Sequence, residues 1–135
     1  AMWGFARIRI RDILNHRFTI GPRQIRIGDY ATSEKTVAIL LRWHIITPNH
    51  VFGANVRNAL NSVPATLTGQ QREDATRAAV AAAYAANAPA WARGHGATIN
   101  GWTNVPQANV MRDYVLNLTD PVLSATAGSL NFAAP

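Results

Sequence analysis

Two kinds of chemistry are open to side chains in the first half of this sequence. Arg7, Arg9, Arg11, Arg17, Arg23 and Arg26 lie between positions 7 and 26, where Asp12 is the only carboxylate. A planar guanidinium pairs with two phosphate oxygens at once, and each phosphate it neutralises releases condensed counterions. Such a set binds a polyanion with a steep salt dependence and without reading its sequence. Trp3, Phe5 and Phe18 are interleaved with these arginines, and Lys35, Arg42 and Arg57 follow as secondary candidates. The plainer alternative is a soluble hairpin edge whose arginines are only solvated.

The second chemistry is metal-dependent hydrolysis. Trp43-His44-Ile45-Ile46 with Asn49-His50 and Asn58 has the outline of a degraded metal-dependent nuclease motif. Its two histidines are six residues apart across Thr47-Pro48, which is no zinc spacing. That motif also needs a strand-turn-strand before its helix, whereas the flanks here have helical periodicity. Histidines at helix ends or against a partner are the simpler reading. Glu73 and Asp74 suit the first turn of a helix, where they complement its dipole, and Asp120 suits a helix cap. The other carboxylates form no pair spaced for acid–base work. No Gly-x-Ser-x-Gly, phosphate loop or dinucleotide fingerprint occurs, and Gly94-His95-Gly96 is too short for a phosphate cradle. We therefore expect no enzyme, no metal site and no cofactor.

The composition limits what can position these groups. The chain has 135 residues, 48% hydrophobic and 15% charged, with no cysteine. That is enough for one core burying about two-thirds of the unfolded surface without a disulfide or metal staple. Nine Arg and Lys oppose three carboxylates in residues 1–60, and four oppose four in residues 61–135, so the whole net charge of +6 lies in the first 60. This asymmetry points to a polyanion met by the N-terminal part. The longest apolar run, Val37 to Ile46, contains Arg42 and His44 and is too short to span a membrane.

Arg7-Ile8-Arg9-Ile10-Arg11 and Arg23-Gln24-Ile25-Arg26-Ile27 both alternate with period two, and Gly21-Pro22 separates them. Alternation favours strands, yet a segment enclosed by partners on every side can be helical with the same residues. Helix against strand stays open for residues 5–27. From Thr32 or Ser33, a cap position, the periodicity becomes helical through Val37, Leu40, Leu41 and Ile45. Pro48 opens a second helix through Phe52, Val56, Leu60 and Val63. Thr68-Gly69-Gln70-Gln71 is a capping box ahead of an alanine-rich helix that Pro89 should end. Residues 93–104 read as a loop, a fourth helix runs through Val110 to Leu118, and Asp120-Pro121 opens a short fifth that Gly128 stops. The alanine face of the long helix (Ala75, Ala79, Ala82, Ala86) suits either an ordinary thin bundle or a seam between subunits.

The expectation is an all-α fold: a basic extended N-terminal arm (1–31), a small bundle of four to five helices (32–128) and an apolar C-terminal tail (129–135). This plan, with its arginine-rich arm, Thr103-Asn104-Val105-Pro106 ahead of a helix and the short apolar C-terminus, resembles the major coat proteins of filamentous and rod-shaped archaeal viruses with linear double-stranded DNA. The resemblance implies a virion protein whose arm wraps A-form DNA and whose bundle forms the outer wall. It also implies partnership with other coat subunits, as a homodimer or as a heterodimer with a related protein. The rival expectations are a cellular non-specific DNA- or RNA-binding domain and, behind it, a nuclease toxin domain.

Overall fold

The computed structural model describes residues 2–46, 48–94, 113, 115–118 and 123–130. Helix α1 (Met2–Asn15) leads into a hairpin of β1 (Arg17–Ile20) and β2 (Arg23–Arg26), followed by a single turn, α2 (Ile27–Tyr30). Then come α3 (Glu34–Ile46), α4 (Pro48–Phe52), α5 (Ala54–Asn61) and the long α6 (Gly69–Gly94). The protein is mostly helical, but the two-stranded antiparallel sheet means that it is not all-α.

The two alternating arginine runs take different structures. In the first, Ile10, Ile13 and Leu14 recur at helical spacing, and Ile10 and Ile13 are buried, so the helix hides one face whatever the local alternation. In the second, Ile25 pairs across the hairpin with Phe18 and both are buried, with Ile20 packed partly against the same core, while Arg17, Thr19, Arg23 and Gln24 face solvent. Gly21 takes a φ of +58° at the first central position of the two-residue connection, where a side chain would be strained. Residues 7–30 are consequently no extended arm. Ile10, Ile13, Phe18, Ile25, Ile27 and Tyr30 share one core with Val37, Leu40, Trp43, Val56, Leu60 and Val80.

Three further expectations change. The helix expected from Pro48 onward is broken into α4 and α5 at Gly53, where the chain is extended and a Cβ would lie 2.5 Å from the Asn49 carbonyl oxygen. α6 continues through Pro89 to Gly94. Proline deletes one backbone donor and kinks a helix without obliging it to stop, and the surrounding alanines hold the helix. The short helix after Asp120 is not seen in residues 123–130, which form irregular chain. Of the loop expected at 93–104, residues 93–94 belong to α6, and 95–104 lie outside the described residues, as do 119–122 and the start of the fourth helix. Asp113 and residues 115–117 are helical, in keeping with that fourth helix.

The N-terminus of α3 is the meeting point of the fold. Ser33 is its cap: the Ser33 hydroxyl accepts from the Thr36 amide at 3.1 Å. The carboxylate of Glu73, 1% exposed on α6, accepts from the Thr32 amide at 3.1 Å and from the Thr32 hydroxyl at 3.3 Å, and also from the Ser33 amide. Residues 124–130 then strap over the same point. The Leu130 amide donates to the Thr32 carbonyl at 3.0 Å, the Lys35 amide to the Ser124 carbonyl at 2.9 Å, and the Glu34 amide to the Ser129 hydroxyl at 3.0 Å. Gln70 of α6 bonds the strap at both the Ala125 carbonyl and the Ala127 amide.

Glu73→Ala should leave buried donors unsatisfied and cost about 3–5 kcal/mol, with Glu73→Gln costing roughly half as much because one acceptor oxygen survives. Urea unfolding checks this, with the midpoint expected to fall at an unchanged m-value. A midpoint for Glu73→Ala equal to that of the parent chain would rule out the clamp.

Candidate nucleic-acid interface

The nine cations singled out in the sequence divide by environment. Five are built into the fold. Arg26 donates to Asp29 at 2.9 Å, to the Leu14 carbonyl at 3.3 Å and to the Asn15 side chain at 3.2 Å, thereby capping the C-terminus of α1. Lys35 is buried, with its ammonium donating to the Leu116 carbonyl at 2.8 Å. Arg9 is half-buried and donates to His44 Nδ1 at 3.1 Å. Arg7 and Arg42 are half-buried and engaged with the rest of the chain.

The other four, Arg11, Arg17, Arg23 and Arg57, are exposed. None of them makes an ion pair among the described residues. The nearby carboxylate Asp29 is already neutralised by Arg26, and Glu73 is buried in its own hydrogen bonds. Asp12, next to Arg11, is the acid left on this surface.

Two clefts flank the hairpin. One, about 290 Å³, lies at its turn and is lined by Thr19, Ile20, Gly21, Arg57, Asn58 and Asn61. The other, about 210 Å³, lies at its open end and is lined by Arg11, Leu14, Asn15 and Arg26. Four residues of strand separate the two ends, roughly 10 Å. The sequence pointed to the arginines but missed Thr19 and Asn61. The available signal was the spacing 57, 58 and 61, which sets three polar side chains on one turn of α5.

The histidines sit elsewhere. His44 is buried between Arg9 and Phe52, whose ring centroid is 4.7 Å away. With Arg9 donating to Nδ1, the ring proton is on Nε2, which is buried with no partner among the described residues. His50 Nδ1 accepts from the Trp43 indole at 3.1 Å. Asn58, the third member of the nuclease outline, is in the hairpin-turn cleft. Among the described residues no group of three or more His, Asp or Glu is arranged to hold a metal ion. His95 lies outside them. No described helix is long and apolar enough to cross a membrane.

No protein-family model, no curated protein and no solved structure matches this chain.

Burial and then the Arg9 charge lower the pKa of His44 from 6.5, against a smaller opposing pull from Asp12, and burial lowers that of His50. Just below pH 6.5 the unfolded chain therefore binds more protons than the native one, so stability present above that pH is lost as the pH falls. The urea midpoint should drop between pH 7.5 and 5.5, and His44→Gln, which keeps an acceptor for Arg9 but does not titrate, should shallow that drop. An equal slope in the two proteins would show that Arg9–His44 is not its source.

Proposed function

We propose that this protein is a structural nucleic-acid-binding subunit: a virion coat protein that polymerises helically around double-stranded DNA. It would bind phosphates without regard to base sequence. The observation that carries this reading is the exposure of Arg11, Arg17, Arg23 and Arg57 on α1, the hairpin and α5, with no carboxylate pairing them among the described residues. Guanidinium groups left solvated on these elements are available to pair with phosphate oxygens, and phosphate contacts hold a protein on nucleic acid without reading its sequence. The sequence plan, resembling archaeal filamentous coat proteins, supports the polymer and a homodimer or a heterodimer with a related coat subunit. A cellular DNA- or RNA-binding domain would use the same arginines without a polymer.

Deleting the N-terminal segment would remove Ile13, Phe18, Ile25 and Ile27 from the core, so charge substitution is the cleaner test. The full chain should bind duplex DNA with a steep salt dependence. Replacing Arg11, Arg17, Arg23 and Arg57 together by Gln should reduce the magnitude of the log K against log salt slope by about 3 to 4, at 0.9 per phosphate lost. Electron microscopy of the same mixtures should show filaments with the parent chain. Discrete complexes without filaments would favour the cellular domain, and an unchanged slope would assign these arginines to another partner.

A further inference from the structure

The two clefts beside the hairpin differ in what they offer. At the open end Arg26 is already spent on Asp29, Leu14 and Asn15, and Leu14 makes part of the wall apolar. That leaves one uncommitted cation there, Arg11. At the turn, the wall is Thr19, Ile20, Gly21, Asn58 and Asn61 with Arg57, so Ile20 makes part of it apolar too, and Arg23 donates to its Asn61 Oδ1 at 3.3 Å. The turn cleft thus combines the Arg57 guanidinium, two carboxamides and a hydroxyl, with the Arg23 guanidinium bonded to one of those carboxamides, and no carboxylate is among its described lining residues.

Each part has a role toward one oxyanion. Arg57 brings an unengaged fork from α5. Arg23 is held toward the cleft by Asn61, and accepting that bond at Oδ1 turns the Asn61 Nδ2 donor away from Arg23. Asn58 and Thr19 supply neutral donors for remaining oxygens. The approach is open, since even a Cβ built on Gly21 would meet nothing within 4 Å.

The C-terminal end of α5 lies beside this cleft, and helix C-termini repel anions. That objection is weak here. The Ser62 amide bonds the carbonyls of Asn58 and Ala59, the Ser62 hydroxyl bonds Ala59 at 2.6 Å, and the Val63 amide bonds Leu60. The residual dipole is at most about half a negative charge, against two full positive ones.

We propose that the cleft between the hairpin turn and α5 is a seat for one phosphate group of the nucleic-acid backbone, gripped by Arg23 and Arg57 and completed by Asn58, Asn61 and Thr19. The identity of the ligand rests on the nucleic-acid reading above. Asn61 acts through Arg23 and is a positioning residue as well as a donor.

The full chain, labelled with nitrogen-15, is titrated by NMR with a short DNA duplex and, separately, with inorganic phosphate. The Asn58 and Asn61 side-chain amide signals should shift saturably with the duplex, and not in Arg57→Gln. In salt-series binding, replacing Arg23 and Arg57 together by Gln should lower the slope by about one, as the single phosphate contact they share is lost. Asn61→Ala should weaken binding several-fold with a nearly unchanged slope, because Arg23 keeps its charge and loses its orientation. Arg17→Gln, outside the cleft, should lower the slope and leave the two Asn signals responsive. If the duplex binds with a steep slope while those signals stay still and Arg57→Gln changes nothing, the seat is overturned and the nucleic-acid reading stands. If the duplex does not bind but inorganic phosphate shifts them saturably, the nucleic-acid reading falls and with it the backbone assignment, leaving a site for a free phosphate. If neither ligand shifts them, the seat is overturned.

Discussion

The buried carboxylate of Glu73 is the constraint on which the rest of this structure depends. It leaves α6 at the start of the chain's longest helix and receives the Thr32 and Ser33 amides, the two donors just ahead of α3. Those residues end the α1–hairpin–α2 unit, so one side chain sets how that unit meets α3 and α6. Hydrogen bonds to a carboxylate are stronger than neutral ones, and Glu73 makes several in a dry setting where water cannot compete. The strap at 124–130 covers the same point and bonds Thr32 at both its carbonyl and its hydroxyl. On the outside, Arg72 reaches the Leu67 carbonyl and lies 4.9 Å from the centre of the Tyr30 ring, joining α6 to α2 a second time.

The legible part of the fold was the local part. A cap at Thr32 or Ser33, the helix after it, helical structure beyond Pro48 and the alanine-rich helix follow from propensity and start signals, whereas the break at Gly53 and the run of α6 past Pro89 do not. The N-terminal segment was harder because two identical-looking alternating runs were settled by residues outside them. Ile13 and Leu14 extend the first run into helical spacing, while Phe18 supplies the cross-strand partner for Ile25 in the second. Gly21-Pro22 marked the turn, yet nothing local showed that the hairpin's inner face would enter the core. Glu73 was misleading for the same reason. A carboxylate expected in a helix's first turn is well explained by the dipole, but α6 starts at Gly69 with no acid in its first turn, and only the fold brings Thr32 and Ser33 to Glu73.

The histidines show how a chemical outline dissolves once the neighbours are known. His44 and His50 each use Nδ1 as an acceptor, from Arg9 and from Trp43, so neither presents that nitrogen to a ligand. Asn58 was part of the same outline and turns out to belong with Arg57 and Asn61. Around His44 the rings of His16, Phe18 and Phe52 stack or meet edge to face, with His16 to Phe52 at 4.6 Å and His16 to Phe18 at 4.7 Å. This aromatic cluster ties the first strand and α4 together beneath α1, a packing role that the histidines share with the phenylalanines.

The same logic revises what the arginines mean. Counted as charge, nine cations in the first 60 residues suggest an arm given over to phosphate. In the fold, five of the nine are held by Asp29, by carbonyls, by His44 or by other parts of the chain, and four stand exposed. An arginine already paired to a carboxylate, or enclosed beside a histidine, cannot replace a counterion on a polyanion without breaking what it makes. On the proposed nucleic-acid reading, the salt dependence of binding would count the exposed cations and not the composition: about 3 to 4 in slope instead of the roughly 8 that all nine would give at 0.9 each. A segment whose composition looks dedicated to a partner spends much of its charge on holding itself together. The reason is burial: α1 and the hairpin bury one face for stability, and only arginines away from that face are left exposed.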